Sequence, residues 1–458
     1  MELAVRANSD LSTALAEAEA QYRAAHPKSA LRQAEAAQHM PGGNTRTVLH
    51  FTPFPLTWAS GSGNRLTDID GCEYLDLLGE YSAGLYGHSN PIIQATLKKA
   101  IDDGTVLGGP NQYEARLAAA IRARFPSVDL IRFTNSGTEA NLLALSAVLA
   151  QRPQRPRVMV FDHGYHGSVF YFSKHTSNLN IPIPWVIGDF NDVEGTRSLL
   201  TQHAQDLAAV IVEPMQGGGG CIAGTPEFLG MLRDQCTAHN IVLIFDEVMT
   251  SRLSAGGMQG RLGITPDMTT FGKYLGGGAS FGAFGGKREL MERFNPDRPD
   301  SLGHAGTFNN NVLSMAGGLA GLTEVFTPSE AVRLNALGDM LRTRINQVAR
   351  KRFAPLQATG VGSMINIHFT RRPIRTPADV HPTHVAAEKI LLDLQTLLHL
   401  DLIHRGYYIA RRGMIALSLP TTDTDTEGFV AAMTDFLETY GSIIERALPI
   451  EVERNLLV

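Results

Sequence analysis

The chain has 458 residues, 43% of them apolar and 19% charged, with a formal net charge of -5 at neutral pH. That length exceeds one compact domain and predicts two lobes sharing a large core. The slight acidity excludes a general affinity for nucleic acid or an anionic membrane. Cys72, Cys221 and Cys236 are the three cysteines, too few and too irregularly spaced for a disulfide framework or a zinc site. They point to a reducing, cytoplasmic compartment. Met1-Glu2-Leu3-Ala4-Val5-Arg6 carries no apolar run of signal-peptide length, and no stretch approaches 18 uninterrupted apolar residues.

Residues 11 to 38 are rich in Ala, Glu and Gln and read as helix, broken near Pro27 and ended by Pro41-Gly42-Gly43-Asn44. Phe54 to Trp58, Arg65 to Asp68 and Tyr74 to Leu77 read as short strands, with Asp70-Gly71 as a hairpin turn. Helices are expected near Ile92–Ala100 and Glu114–Arg124. From about residue 130, short apolar strands (Ile131–Thr134, Val158–Phe161, Ala208–Glu213, Ile241–Asp246) alternate with helices. One helix runs from Glu139 to Ala150. Another starts at Thr225-Pro226, with Phe228, Leu229, Leu232 and Cys236 on one face. This alternation predicts a mostly parallel sheet covered on both faces, which binds ligands at the carboxyl ends of its strands. Residues 331 to 350 form an amphipathic helix on Leu334, Leu337, Leu341, Ile345 and Val348. Strands at Met364–Phe369, Tyr407–Ala410 and Met414–Ser418 and a helix at Phe429–Tyr440 complete a smaller α+β lobe.

Lys273 lies between Phe271-Gly272 and Gly276-Gly277-Gly278, 27 residues after Asp246. A glycine-flanked lysine can present its amine in a crowded pocket. A carboxylate ending an apolar strand can meet a cationic ring nitrogen. Pyridoxal phosphate chemistry requires this pair: a Schiff-base lysine and a partner for the pyridinium. Burial is expected to depress the free amine's pKa, so that it serves as a general base near neutrality. In Asn135-Ser136-Gly137-Thr138-Glu139-Ala140, Ser136 and Glu139 have capping-box spacing. The free N–H groups of Ser136, Gly137 and Thr138 then suit a phosphate, although an ordinary capped helix has the same pattern.

Other positions are more open. Tyr165, in His163-Gly164-Tyr165-His166-Gly167, can stack on a flat cofactor or face the core. His163 and His166 are expected to hydrogen-bond locally rather than bind metal. Glu213 ends a strand and either faces the ligand crevice or bonds the loop Gly217–Gly220. Thr307, in a small-residue loop at 304–311, can give its hydroxyl to phosphate. Arg46 and Arg412 are candidate bidentate partners of a carboxylate. Val48, Phe51, Phe54 and Tyr81 suit a bulky apolar substrate side chain.

Together these segments resemble the class III aminotransferases of the fold-type I pyridoxal phosphate family, from about Pro41 to Pro420. The branch containing glutamate-1-semialdehyde aminomutase and the β-phenylalanine (aromatic β-amino acid) aminotransferases is the nearest. Pro41-Gly42-Gly43-Asn44-Thr45-Arg46, Gly79-Glu80-Tyr81-Ser82-Ala83-Gly84, Asp246-Glu247-Val248-Met249-Thr250-Ser251-Arg252 and Gly306-Thr307-Phe308-Asn309-Asn310-Asn311 carry that closer match. The resemblance implies an α/β fold: a large domain (79–330) with a mostly parallel seven-stranded sheet, and a small domain from segments 1–78 and 331–458. It implies pyridoxal 5'-phosphate bound by Ser136, Gly137, Thr138, Tyr165, Glu213, Asp246, Val248 and Lys273. Thr307 would come from the second subunit of a homodimer with shared sites. Catalysis falls to Lys273, Asp246 and Tyr165, and substrate binding to Arg46, Tyr81 and Arg412. Arg411-Arg412 is a doublet, so either can be the anchor, and Gly218-Gly219-Gly220 is richer in glycine than the family pattern.

The expected activity moves an amino group from an aromatic or aliphatic β-amino acid to 2-oxoglutarate or pyruvate, by a ping-pong route through pyridoxamine phosphate. The alternatives are a 2,1-aminomutase that needs no acceptor, an amine:oxo-acid transaminase, and a non-catalytic cofactor-binding protein. No metal, nucleic acid or membrane is expected.

Overall fold

The computed structural model describes residues 11–173, 179–382 and 384–449, so the segment Met1 to Arg6 lies outside it. Helices at Leu11–Ala25 and Pro27–Ala36 meet at His26, whose φ of -126° and ψ of 52° leave the helix. The ring of Pro27 disfavours helical backbone at the residue before it. A meander follows: β1 (Trp58–Ser62), β2 (Arg65–Asp68) and β3 (Glu73–Asp76), antiparallel throughout. The Asp70-Gly71 turn is present, with Gly71 at φ 96°. The strand expected from Phe54 instead begins at Trp58. Pro53 and Pro55 lack the N–H groups that a ladder needs. Phe54 packs with Tyr22 and Phe51 in a buried cluster. Polar groups tie the helices to the meander: Tyr22 donates to the Phe54 carbonyl at 2.8 Å, and the Tyr74 hydroxyl lies 2.8 Å from both His26 Nε2 and Asp68 Oδ2.

The central sheet has seven strands: β4 (Leu130–Thr134), β5 (Arg157–Phe161), β6 (Trp185–Gly188), β7 (Leu207–Val212), then, after a two-residue hairpin of β8 (Met215–Gln216) and β9 (Ile222–Ala223), β10 (Val242–Asp246), β11 (Met268–Gly272) and β12 (Gly282–Gly286). Their order is β4-β12-β11-β10-β7-β5-β6, and β12 runs antiparallel to both of its neighbours. Alternation divides the strands between two apolar layers. Val158, Val160, Ala209, Ile211, Val242 and Ile244 face the helix Gly137–Gln151 through Ala140, Ala144 and Val148. Met159, Phe161, Val210, Val212, Leu243 and Phe245 face the helix Pro226–Ala238 through Phe228, Leu229, Leu232 and Cys236. Both faces are covered, as parallel sheets require.

A π-helical turn at Gly321–Val325 leads to the helix Pro328–Lys351, which buries Leu334, Leu337, Leu341 and Ile345. Beyond it, β13 (Gln357–Val361), β14 (Met364–His368) and, later, β16 (Met414–Ala416) form an antiparallel sheet. Between them β15 (Tyr407–Tyr408) returns to the N-terminal meander and pairs with β3. The last strands are shorter than expected, because the chain turns at Gly413, φ 88°, onto Ala410. Two long helices, Val385–His404 and Asp423–Ala447, flank this part. The first has no apolar stripe, since Leu394, Leu397, Leu398, Leu400, Leu402 and Ile403 are buried on several sides. Among the described residues no helix is long and apolar enough to cross a membrane.

Gly282 lets β12 approach the residue that precedes the Gly137 helix. A Cβ there would lie 2.0 Å from the Ser136 carbonyl oxygen, whereas a Cβ on Gly230 in the helix Pro226–Ala238 would meet nothing within 4 Å. The same substitution is therefore expected to act in opposite directions. Gly282→Ala should cost ~1–3 kcal/mol by overpacking, and Gly230→Ala should add roughly 0.5–1 kcal/mol of helix stability. Urea-unfolding midpoints on either side of the parent protein check this.

Candidate active site

The carboxyl ends of β4, β5, β7, β10 and β11 open into a cavity of about 510 Å³. Asp246, the last residue of β10, is 4% exposed. Its Oδ2 accepts from Asn141 Nδ2 and His166 Nδ1, both at 2.8 Å, and its Oδ1 accepts from the Val248 N–H at 3.0 Å. Three donors thus hold one buried carboxylate at the cavity wall. His166 was expected to bond locally; its partner is instead a strand end 80 residues away. Glu213 follows β7 and accepts from the N–H groups of Tyr165 at 2.9 Å and Gly217 at 3.0 Å. The loop bond and the cavity wall are therefore combined in one residue. Burial pushes its carboxyl up to about 7, against the pull of His166.

Lys273 comes directly after β11 in the left-handed region, at φ 56°. A lysine there is conformationally unfavourable and must be held by its surroundings. Burial is the main cause that pushes its amine down to about 8, and Arg46 adds to it. The expected depression is present.

Opposite, Ser136 caps the helix Gly137–Gln151 by accepting the Glu139 N–H at 3.1 Å. Glu139 reaches back to the N–H of Asn135 at 2.7 Å, one residue earlier than a capping box prescribes. The first-turn donors of Gly137 and Thr138 have no intrahelical acceptor, and they line the cavity at the positive end of a 15-residue helix. Gly137 keeps this mouth open: a Cβ there would lie 2.9 Å from both methyls of Val248. Tyr165 stands on the rim, 43% exposed, edge-on to Tyr171 at 5.4 Å. Tyr165 and Val248 both line the cavity.

Arg46, Tyr81 and Arg412 come together, with Arg46 in the cavity lining and Tyr81 and Arg412 outside it. The guanidinium carbons of Arg46 and Arg412 lie 5.7 Å and 5.5 Å from the Tyr81 ring centre. Arg46 is ion-paired with Glu80. Arg412 donates to the sulfur of Met414 at 3.4 Å, a weak acceptor, and its buried Nε meets no partner among the described residues. Arg412, rather than Arg411, is the member of the doublet that lies over Tyr81. Of the residues expected to receive a bulky side chain, Phe51 and Phe54 are core residues and do not line this cavity. They pack with Tyr22 and Leu56 in a buried cluster of their own. Val48 is exposed, and its carbonyl accepts the Tyr81 hydroxyl at 3.1 Å. Thr307 is exposed and outside the cavity of its own chain. Its loop is anchored instead by Asn309, which accepts from Asn135 at 3.1 Å.

Asn141, His166, Asn309 and Glu80 were not anticipated. Asn141 carries a faint signal: a lone amide among apolar residues, one turn into the helix that starts at Gly137. The other three lie in segments already singled out, but nothing local assigns them these partners.

Residues 50–394 match the family model described as aminotransferase class-III. A β-phenylalanine transaminase of Variovorax paradoxus is 44% identical over 438 residues, covering 95% of this chain and 99% of the relative. A crystal structure of a β-phenylalanine aminotransferase from that organism is similar to the fold with a TM-score of 0.91, at 43% identity, covering 94% of this chain and 99% of the other. A glutamate-1-semialdehyde 2,1-aminomutase of Desulforudis audaxviator is 33% identical over 418 residues, 87% of this chain and 94% of the relative. A solved transaminase with PLP bound is 30% identical with a TM-score of 0.81, covering 92% and 99%. The cavity fits that cofactor: a helix start with free donors for a phosphate, a buried carboxylate for a ring nitrogen, and a lysine whose amine titrates near 8. With its fold-type I architecture, the chain belongs to the class III aminotransferases, a transaminase family that uses pyridoxal phosphate.

Proposed function

We propose that this transaminase takes its amino group from a β-amino acid with an aromatic or aliphatic side chain and passes it to 2-oxoglutarate or pyruvate. The observation that carries this reading is the pair of guanidinium groups on Tyr81. Arg412 is unsatisfied and Arg46 is already paired with Glu80. An unsatisfied guanidinium seeks a carboxylate, which it binds as a planar fork. Arg46 and Arg412 both help to hold the Lys273 amine below its ordinary value, which supports placing the carboxylate on the lysine's side of the site. The 44% identity to a β-phenylalanine transaminase points the same way.

Bound pyridoxal phosphate supplies an aldehyde that takes up the amino group and a ring that accepts the electrons of the broken C–H bond. The chain's own residues do the rest. Gly137 and Thr138 offer their N–H groups to the phosphate, with Ser136 fixing the helix start. Asp246, kept in place by Asn141, His166 and the Val248 N–H, would supply the counter-charge for a ring nitrogen. Val248 and Tyr165, which line the cavity, would hold the ring, and Glu213 holds the Tyr165 backbone. Lys273 Nζ, neutral above about pH 8, takes the proton from the carbon that bears the amine and returns it across the site. We read the working unit as a homodimer in which Thr307 of the second subunit completes the phosphate site. The exposed position of its loop, docked on Asn135 through Asn309, supports this.

A panel of α-amino acids, β-amino acids and amines, each with 2-oxoglutarate, with pyruvate and with no acceptor, tests the reading. Turnover is expected with β-amino acids and only when an oxo acid is present. Turnover without acceptor would mean an aminomutase instead. Arg412→Leu is expected to raise KM for the β-amino acid at least tenfold. Asp246→Asn is expected to lower kcat by roughly 10²–10³-fold, about 3–4 kcal/mol of barrier; stopped-flow half-reactions measure this. Capture of pyridoxal phosphate by the apoenzyme is expected to accelerate as pH rises toward about 8 and then level off, because the neutral amine reacts. A rate still climbing at pH 10 would assign Lys273 an ordinary amine. Lys273→Ala removes the step altogether.

A further inference from the structure

Arg252 ends the segment Asp246-Glu247-Val248-Met249-Thr250-Ser251-Arg252, and nothing above gives it a task. Its side chain is completely buried. Among the described residues no carboxylate pairs with it. Its three donors go to three distant segments: Nε to Ser363 Oγ at 3.2 Å, Nη1 to the Ser82 carbonyl at 3.3 Å, and Nη2 to the Leu417 carbonyl. Burial pushes the guanidinium down to about 10, so it is still charged at neutral pH. A buried cation is costly unless dipoles converge on it, and here the carbonyls of two substrate-side segments do so. Its own carbonyl is fixed by Asn335 Nδ2 at 3.0 Å.

The segments it joins are those that hold Tyr81 and Arg412. Ser82 follows Tyr81 in a turn where Gly79, Glu80, Tyr81 and Ser82 all lie in the left-handed region, at φ 52°, 48°, 53° and 77°. Three successive non-glycine residues there are unfavourable and persist only if held. Asp76 Oδ1 holds the start by accepting the N–H groups of Leu78 at 2.9 Å and Gly79 at 3.0 Å. Arg252 holds the end at Ser82. Leu417 directly follows β16, and Arg412 lies just before that strand. The Tyr81–Arg412 contact at 5.5 Å is thus made between two segments clamped by one guanidinium, six residues along the chain from Asp246.

We propose that Arg252 is a positioning residue for substrate recognition: its three-way clamp sets Tyr81 and Arg412 relative to the Asp246 strand end, and so sets the affinity for the donor's carboxylate. This rests on the reading of Arg412 given under Proposed function. Lysine cannot replace it, because an ammonium lacks the planar fork that reaches three acceptors.

The holoenzyme carrying Arg252→Lys tests the clamp. KM for the amino donor is expected to rise at least tenfold, with kcat and the dissociation constant of pyridoxal phosphate within threefold of the parent. Ser363→Ala removes one acceptor and leaves the cation in place. It is expected to raise KM about threefold with the same constancy, and it decides the matter if Arg252→Lys does not fold. Unchanged KM in Ser363→Ala and in any folded Arg252→Lys overturns the proposal. So does a parallel loss of coenzyme affinity, which a merely structural role would produce. Arg412→Leu, assayed alongside, separates the two readings. If it leaves KM unchanged, the carboxylate assignment fails. If it raises KM while the clamp variants do not, only the clamp fails.

Discussion

The site depends on one buried carboxylate. Asp246 sits at the end of a strand with every residue buried, and a lone anion there would be costly. Three donors from three elements remove that cost: an amide from the Gly137 helix, an imidazole from the loop after β5, and a backbone N–H of its own chain. Each donor is held in turn. Asn141 also donates to the His166 carbonyl at 2.8 Å, so helix and loop are fixed to each other as well as to the acid. The sheet order brings these elements together, since β10 lies at the centre and the helix crosses above it.

Close approach of backbones is the second requirement. Gly137, Gly272 and Val248 share one volume: a Cβ on either glycine would lie 3.0 Å or less from a Val248 methyl. The helix start and the lysine turn therefore pack directly onto the Val248 side chain of the segment after Asp246. Gly282 does the same for β12 against Ser136. A helix start with free donors, an amine and an acid can share one small cavity only because Gly137 and Gly272 have no Cβ.

The charges balance across the cavity. Desolvation raises Glu213 and lowers Lys273, so both groups titrate near neutrality. Arg46 is ion-paired with Glu80, while among the described residues Arg412 makes no ion pair and its Nε meets no partner. An ion-paired guanidinium thus stands beside one that no acid neutralises among the described residues.

The amino-acid sequence by itself determined the alternating strands and helices, the capped helix start at Ser136, and the acid and lysine. Each of these is local: a strand end, a cap and a glycine-flanked amine follow from neighbours a few residues away. The positions of β11 and β12, the inward turn of Phe51 and Phe54, and the length of the helix Val385–His404 needed the whole fold. Glycine-rich or uniformly apolar segments carry no period, and prolines break the strand pattern. The partners of Asp246, the choice of Arg412 over Arg411, and the clamp at Arg252 were decided by tertiary structure alone. The bonds of Asp246 to Asn141 and His166 and those of the Arg252 side chain join residues 80 to 170 positions apart, and the Arg412–Tyr81 contact spans still more. No local pattern encodes where a sheet will bring such residues together.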